Sequence, residues 1–593
     1  MASVLEPMSF TAPFVLLDDA RPGGAPPRLY RDPVRVLAAT HIEEVPPLLD
    51  ELRGATRAGL HAAGYLAYDA AAAFEAKAPL PPEDGAPLAW FGLFERHEPF
   101  DPATLPDPRG AWIGALAPDI AYPAYAAQLA EVQALIAAGD LYQANLTFGA
   151  RVRVAGDPLA LYARLRAASG AGWGAVVADG RTVHLSLSPE LFFALEGGRI
   201  TARPMKGTAP READAAADDA AARALAADPK QRAENLMIVD LLRNDLSRVA
   251  APGSVRVPAL FEVERYPTVQ QMTSTVIADL APGRDAVNLL EAAFPCGSIT
   301  GAPKVRAMQA IAAIEARPRR LYTGSVGVIE PNGDAQFNVA IRTLTLNGQG
   351  EAVLGLGSGI VADSQAPAEW QECLDKGAFL ASGARAFDLI ETMRFDPREG
   401  VLLLERHLDR MKATATTFGF PFDRHALRNE LQAATFRLRV PSRVRLVLGA
   451  GGAIAIETAP LPPALPAPLR VALVAHQVVP GDFRLAHKTS DRAFYDEPRR
   501  ASGADEVVFI DREGGITEGS FTNVFVERDG MLLTPPLARG LLPGVLRAEL
   551  LATGRAIEHA LTPDDLKQGF MLGNALRGLM PAVLVAQAEA RGV

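Results

Sequence analysis

A chain of 593 residues, 49% hydrophobic and 22% charged, holds material for two to four domains. A net charge of -10 with no lysine or arginine run argues against a nucleic-acid partner held on a basic face. The two cysteines, Cys296 and Cys373, make neither a disulfide framework nor a zinc spacing, and the opening residues read as neither signal peptide nor membrane span. The expected setting is the cytoplasm, with no membrane partner.

Residues 1–110 read as strands and turns broken by clusters such as Arg21-Pro22-Gly23-Gly24, without chemistry. From Ala121 the pattern turns helical, with an amphipathic run from Ala126 to Ala138 that stops at Gly139-Asp140. The string 141–148 leads into a strand expected at 150–154, and a helix follows Pro158. Arg203-Pro204-Met205-Lys206-Gly207-Thr208 reads as a stiff turn. Its lysine is either an exposed turn residue or, beside buried strands, a desolvated nucleophile. Lowering an amine from ~10.4 towards 7 takes roughly 4 kcal/mol, which only a closed pocket supplies. Residues 210–228 read as a solvated helix.

On the next helix Glu234, Ile238, Leu241 and Asp245 share a face, and Glu234 is either salt-bridged or a ligand. Residues 294–304 form a Gly/Pro-punctuated loop opening a helix that runs to Glu315, where free amides favour an anion. Arg342 falls in a strand expected over 337–346, as an ion-pair partner or as a fork for a carboxylate. Gly355 to Gly359 offers bare amides, a second anion cradle. Glu369, Glu372 and Lys376 share a helical face, which alone reads as readily as a solvated charge stripe. Taken together these parts describe a pocket for a small multivalent anion. Carboxylates beside such an anion make sense when a cation such as Mg²⁺ bridges them.

The motifs GDLYQANLTF (139–148), SPE (188–190), MKGT (205–208), ENLMIVDLLRND (234–245), GSITGAPK (297–304), NVAIRT (338–343) and GSGIVADS (357–364) resemble those of the chorismate-utilising enzymes over residues 120–376. That resemblance implies Mg²⁺ held by Glu234 and Glu372 with Glu369 close by. It implies the carboxylates of chorismate held by Thr300, Tyr322, Arg342, Lys376 and the amides near Gly357 and Gly359. Glu190 resembles the general acid for the departing C4 hydroxyl. Lys206 resembles the lysine of the aminodeoxychorismate synthase branch, which attacks C2 before ammonia enters at C4; isochorismate and salicylate synthases carry a lysine there too, activating water. Three departures stand out: Gln271 where many relatives have histidine, Cys296 for a usual glycine, and Gln231 for an acidic residue.

After Lys376 the chain restarts with AFDLIETMR (386–394), a helix expected at 405–419 and strands at 443–448 and 453–457. The run 460–468 reads as a polyproline-like linker. Together with Arg410, Lys488, Glu518 in a carboxylate turn, LPGVLR (542–547) and FMLGNALRG (570–578), this stretch resembles the fold-type IV pyridoxal-phosphate enzymes. By that resemblance Lys488 bonds the cofactor, and Glu518 pairs with its pyridine nitrogen. Arg410, the amides of Val545 and Leu546, and Asn574 bind its phosphate. Thr392 falls where the lyase branch handles protons. The usual GDG ahead of this segment is absent, so the opening strand is expected to come from the first domain.

The expected fold class is α+β or α/β multidomain. A β-sandwich-type chorismate-binding domain like anthranilate synthase component I spans 1–376, with its motif core at 120–376. A linker at 377–386 joins it to a fold-type IV domain at 387–593. That second domain divides into a small subdomain (387–459), the Pro-rich linker (460–468) and a large subdomain (469–593). The two resemblances together imply synthesis of 4-aminobenzoate for folate: chorismate and ammonia to 4-amino-4-deoxychorismate, then elimination to 4-aminobenzoate and pyruvate. The alternative is an anthranilate-, isochorismate- or salicylate-type enzyme fused to a type IV aminotransferase. With no glutaminase motif in the chain, ammonia is expected free or from a separate glutamine amidotransferase subunit. A homodimer through the second domain is the type IV expectation.

Overall fold

The computed structural model describes residues 12–80, 82–266, 269–383 and 386–585. Residues 384 and 385 of the expected linker, and the ends of both expected domains, lie outside the described residues. Two compact units are present. One comprises the chain up to Leu105 with Ala115–Val152 and Tyr162–Gly383; the other comprises Pro106–Gly114, Arg153–Leu161 and the chain beyond Gly383. The two early segments of the second unit fall outside any contiguous division of the sequence.

The first unit is built on two sheets. One places strands in the order Gly301–Ala302, Gln143–Ala155, Glu351–Ile360, Thr343–Leu346, Val183–Ser188, Trp173–Ala178, Phe14–Asp18, Arg28–Arg31. The other runs Met205–Pro210, Val269–Asp279, Arg199–Arg203, Leu191–Glu196, Ala335–Asn338, Ser325–Ile329, His61–Leu66, Ala89–Phe94, Arg35–Ala39. Their inner faces meet in one apolar cluster, with Val15, Tyr30 and Val177 from the first sheet against Tyr65, Trp90 and Val328 from the second. This is the expected sandwich. The outer face of the second sheet is covered by helices Val45–Arg57, Pro229–Ser247 and Ala286–Ala293. Coverage of both faces explains why Ala89–Phe94 is apolar and buried throughout rather than alternating.

Four sequence expectations change here. Lys206 lies on a strand, not in a turn, because Val269–Asp279 offers a long partner for its backbone; the Pro-Lys-Gly chemistry shows instead as a register shift between Met205 and Thr208, with Gly207 at φ 99°. The strand expected over 337–346 divides into Ala335–Asn338 and Thr343–Leu346, with Arg342 between them at φ 50°. The glycines 355–359 belong to strand Glu351–Ile360 rather than to a loop. Helix Val45–Arg57 was not anticipated among the strands and turns of 1–110.

In the second unit, strands Gly400–Val401, Leu389–Asp396, Ser442–Leu448 and Ile454–Pro460 form one sheet. Helices Leu404–Phe418 and Arg424–Thr435 cover one face through Leu408, Met411, Leu427 and Leu431 against Met393, Val444 and Leu446. Leu389–Asp396 lies inside this sheet, and among the described residues its strand partners all come from the second half rather than from the first domain. Beyond the Pro-rich run, Ile516–Gly519, Glu506–Ile510, Leu469–Ala475, Gly578–Leu584, Phe570–Asn574 and Asn523–Arg528 pair in sequence, and the last pairs back to the first. That ring closes a barrel around Val471, Val508, Val524 and Leu572. Among the described residues no helix is long and apolar enough to cross a membrane.

Candidate active sites

In the first unit, the side chain of Lys206 is only 15% exposed, and Nζ stands 4.0 Å from Glu234 Oε2. Burial lowers its pKa, against the pull of Glu234, while Lys376, Glu372 and Glu369 also act on it. The helix stripe and the helix Pro229–Ser247 therefore converge on one amine. Lys376 pairs with Glu372 at 2.8 Å and donates to the Gly357 carbonyl at 2.9 Å. Ser364 Oγ donates to Glu369 at 2.8 Å. A Cβ on Gly359 would overlap Lys206 Nζ, and one on Gly355 would overlap the Tyr322 ring. The glycines thus make room for functional side chains, a role their reading as bare amides did not anticipate.

Glu190 is 3% exposed. Burial pushes its carboxyl up to about 7, although Ser298 Oγ donates to it at 2.7 Å and Lys206 acts nearby. Thr300 is buried in the same 297–300 segment as Ser298; its hydroxyl donates to the Cys296 carbonyl at 2.8 Å, and its own carbonyl accepts from Asn145 N. Arg319 holds this segment in place by donating to the carbonyls of Ile299 and Asn145 while paired with Glu315 at 2.6 Å. Burial raises the Tyr322 hydroxyl. The Arg342 guanidinium has no hydrogen bond or ion pair among the described residues, and burial lowers its pKa. Among the described residues no hydrogen bond or ion pair links it to Lys206, Glu234 or Glu372. Gln143 escaped assignment although it lies in a quoted motif. It is fully buried, and neither side-chain amide atom finds a partner. A buried carboxamide with unpaired donors and acceptors beside a lysine is a candidate polar contact of the site, and only tertiary structure exposes it.

In the second unit, burial lowers the Lys488 amine to about 7, opposed by Glu391. Glu518 sits on strand Ile516–Gly519 rather than in a turn; it is 3% exposed, and burial pushes it up to about 7. Arg410 forms a two-point pair with Glu391, at 2.8 and 2.6 Å, and donates to the Pro543 carbonyl at 3.0 Å. This brings a cation to the start of helix Val545–Ala552, where the amides of Val545 and Leu546 lie in the first turn. A Cβ on Gly544 would overlap Asn523 Oδ1. Asn574 departs from expectation. Its Oδ1 accepts from the amides of Leu576 and Arg577, and its Nδ2 donates to the Phe521 carbonyl, so it fixes a turn. Thr392 lies directly across the ladder from Arg445.

Glu391, the partner of Arg410, was missed because its role depends on His407 and Arg410 arriving from a separate helix. Among the described residues no group of three or more His, Cys, Asp or Glu side chains is gathered closely enough to hold a metal ion.

The sandwich with a buried lysine among carboxylates, followed by a barrel domain with a second buried lysine, defines a two-part enzyme. The family model of chorismate binding enzymes matches residues 14–382, and that of class IV amino-transferases matches residues 388–585. The chain belongs to the chorismate binding enzyme family, and its second unit is a class IV aminotransferase-like domain. Aminodeoxychorismate synthase component 1 of Salmonella typhimurium is 47% identical over 252 residues, 42% of this chain and 55% of its own length. Anthranilate synthase component 1 of Streptomyces coelicolor is 41% identical over 259 residues, 44% of this chain and 50% of its own. The chain thus spans about half the length of these curated relatives. Among solved structures, anthranilate synthase component I from Streptococcus pneumoniae superposes with a TM-score of 0.53 at 25% identity, covering 64% of this chain and 94% of that one.

Proposed function

We propose that the first unit converts chorismate and ammonia to 4-amino-4-deoxychorismate, and that the second eliminates pyruvate from it to release 4-aminobenzoate for folate synthesis. The observation that carries this reading is the Lys206 amine, buried at 4.0 Å from Glu234 and packed over Gly359. A solvated lysine would stay protonated; a desolvated one is a nucleophile. Lys206 adds to C2 while Glu190, its carboxyl held near neutrality by burial, protonates the departing C4 hydroxyl. Ammonia then adds at C4, and Lys206 leaves.

Arg342, Thr300, Tyr322, Lys376 and the Gly357–Gly359 strand segment hold the carboxylates, and Gln143 satisfies its orphaned amide on the substrate. Glu234, Glu372 and Glu369 supply oxygen donors of the kind Mg²⁺ prefers, although among the described residues they are not gathered into a metal-holding group. Two of these carboxylates now face Lys376 and Ser364 and would turn from them to a cation. Mg²⁺ there would neutralise a substrate carboxylate.

Pyridoxal phosphate fits the second unit by its donor set: Arg410 and the Val545–Leu546 amides for the phosphate, Glu518 for the ring nitrogen and Lys488 for the aldehyde. Asn574 keeps only a remaining Nδ2 hydrogen for this purpose. When bound, the cofactor supplies an electron sink. Lys488, near neutrality through burial, removes the C4 proton, with Thr392 assisting proton movement. Aromatisation of the ring drives release of pyruvate. The partner is a glutamine amidotransferase subunit supplying ammonia, in a cytoplasmic setting, with the second unit as the dimerisation element.

Chorismate, ammonium and Mg²⁺ incubated with the protein and pyridoxal phosphate should give 4-aminobenzoate, and omission of the cofactor should stop the sequence at the intermediate. Formation of 2-aminobenzoate would end the first half of the reading. Exchange of amino groups between an amino acid and a 2-oxo acid, without pyruvate release from the intermediate, would end the second.

A further inference from the structure

Helix Ala493–Ser502 carries Tyr495, 3% exposed, whose hydroxyl donates to Oε1 of Glu518. The amide of Leu542 donates to that same oxygen at 3.0 Å. Oε2 accepts no hydrogen bond among the described residues. Two donors on one oxygen fix the plane of the carboxylate and leave the lone pairs of the other as its outlet. The groups that act on Glu518 are Tyr495, the Leu542 amide, Arg492 and Glu506. Glu506 is itself bound by the Ser520 hydroxyl at 2.6 Å and by the Ser520 and Val507 amides. Arg492 lies over the Tyr495 ring, 5.1 Å from its centroid, and donates to the Ser520 carbonyl.

Burial alone favours the neutral carboxyl, whereas a hydrogen bond from the phenol favours the anion. A neutral carboxyl would offer a protonated ring nitrogen only a weak acceptor, since charge-assisted hydrogen bonds are about twice as strong as neutral ones. Tyr495 therefore counters the effect of the cavity in which Glu518 sits.

We propose that Tyr495 is a positioning residue for the cofactor: its hydroxyl engages one oxygen of Glu518 and so presents the other, ionised, to the ring nitrogen of pyridoxal phosphate. This rests on the reading of the second unit as a pyridoxal-phosphate domain. The test titrates pyridoxal phosphate into the full chain and into Tyr495→Phe, Glu518→Gln and the double variant, following Kd and the absorption of the bound cofactor from pH 6 to 8.5. Tyr495→Phe should weaken binding by about tenfold, the order of one hydrogen bond to a charged group. Because removing the phenol makes Glu518 easier to protonate, the deficit should grow as pH falls. The double variant should match Glu518→Gln, since Tyr495 acts through that carboxylate; a purely structural contribution would add to the loss instead. Additive losses, or a Tyr495→Phe Kd and spectrum equal to the parent's across the pH range, would overturn the proposal. If the parent chain gives no bound-cofactor absorption and no borohydride-trapped adduct on Lys488, the underlying reading of the second unit fails with it.

Discussion

Lys206 and Glu190 show one physical cause acting in opposite directions. Burial disfavours charge on both, pulling the amine down and the carboxyl up, and so favours the neutral form of each. Lys206→Ala should lower 4-aminobenzoate formation from chorismate by about a hundredfold or more, about 2.7 kcal/mol of barrier. Pyruvate release from supplied 4-amino-4-deoxychorismate should be unchanged; loss of both in a folded variant would contradict two separate sites. Glu190 works protonated, so the first activity should fall as pH rises through about 7, and Glu190→Gln should remove that limb along with roughly 10²–10⁴-fold of rate.

Stability carries a matching signature. The folded-state carboxyl titrates at about 7 against an ordinary 4.5, so the folded chain binds more protons than the unfolded one between these values. The stability associated with Glu190 is fully present below about 4.5 and is lost as pH rises through 7. The melting temperature of Glu190→Gln relative to the parent should therefore climb across that window. A constant difference from pH 4.5 to 8 would show that Glu190 does not titrate there.

At the scale of elements, strand Glu351–Ile360 functions by what it lacks. Gly359→Ala places a methyl group against Lys206 Nζ and within reach of Gln143 Nε2; overpacking of this kind costs roughly 1–3 kcal/mol. Steady-state rates should show a tenfold or greater loss of chorismate amination with the second activity intact. The 297–300 segment depends in turn on the Arg319–Glu315 pair, whose side chains are 1% and 0% exposed. Removing one partner of a buried pair leaves an uncompensated charge, so Glu315→Gln should lower unfolding stability by roughly 3–5 kcal/mol, read as a lower urea midpoint. The glycine strand was legible as a motif. Its purpose was not, because a missing side chain has meaning only relative to the lysine and tyrosine that fill its space.

For the whole molecule, the two half-reactions need not be coupled by direct transfer of the intermediate. A released small intermediate diffuses away from a tether, so Lys206→Ala and Lys488→Ala chains mixed in solution should together make 4-aminobenzoate from chorismate, as product analysis would show. A silent mixture in which each variant keeps its own half-reaction would mean that the intermediate is not exchanged. The sequence by itself was enough to expect two domains, to single out candidate residues in each, and to lay out most helices and strands of the motif core. These are local properties, written in spacing and side-chain chemistry. Only the tertiary structure decided that Lys206 lies on a strand, that segments 106–114 and 153–161 group with the second unit, that Asn574 fixes a turn, that Gln143 is buried without a partner, and that Glu391 and Tyr495 bond Arg410 and Glu518. Each of these depends on burial and on partners distant in the chain, and desolvation belongs to a position in the fold rather than to a residue type.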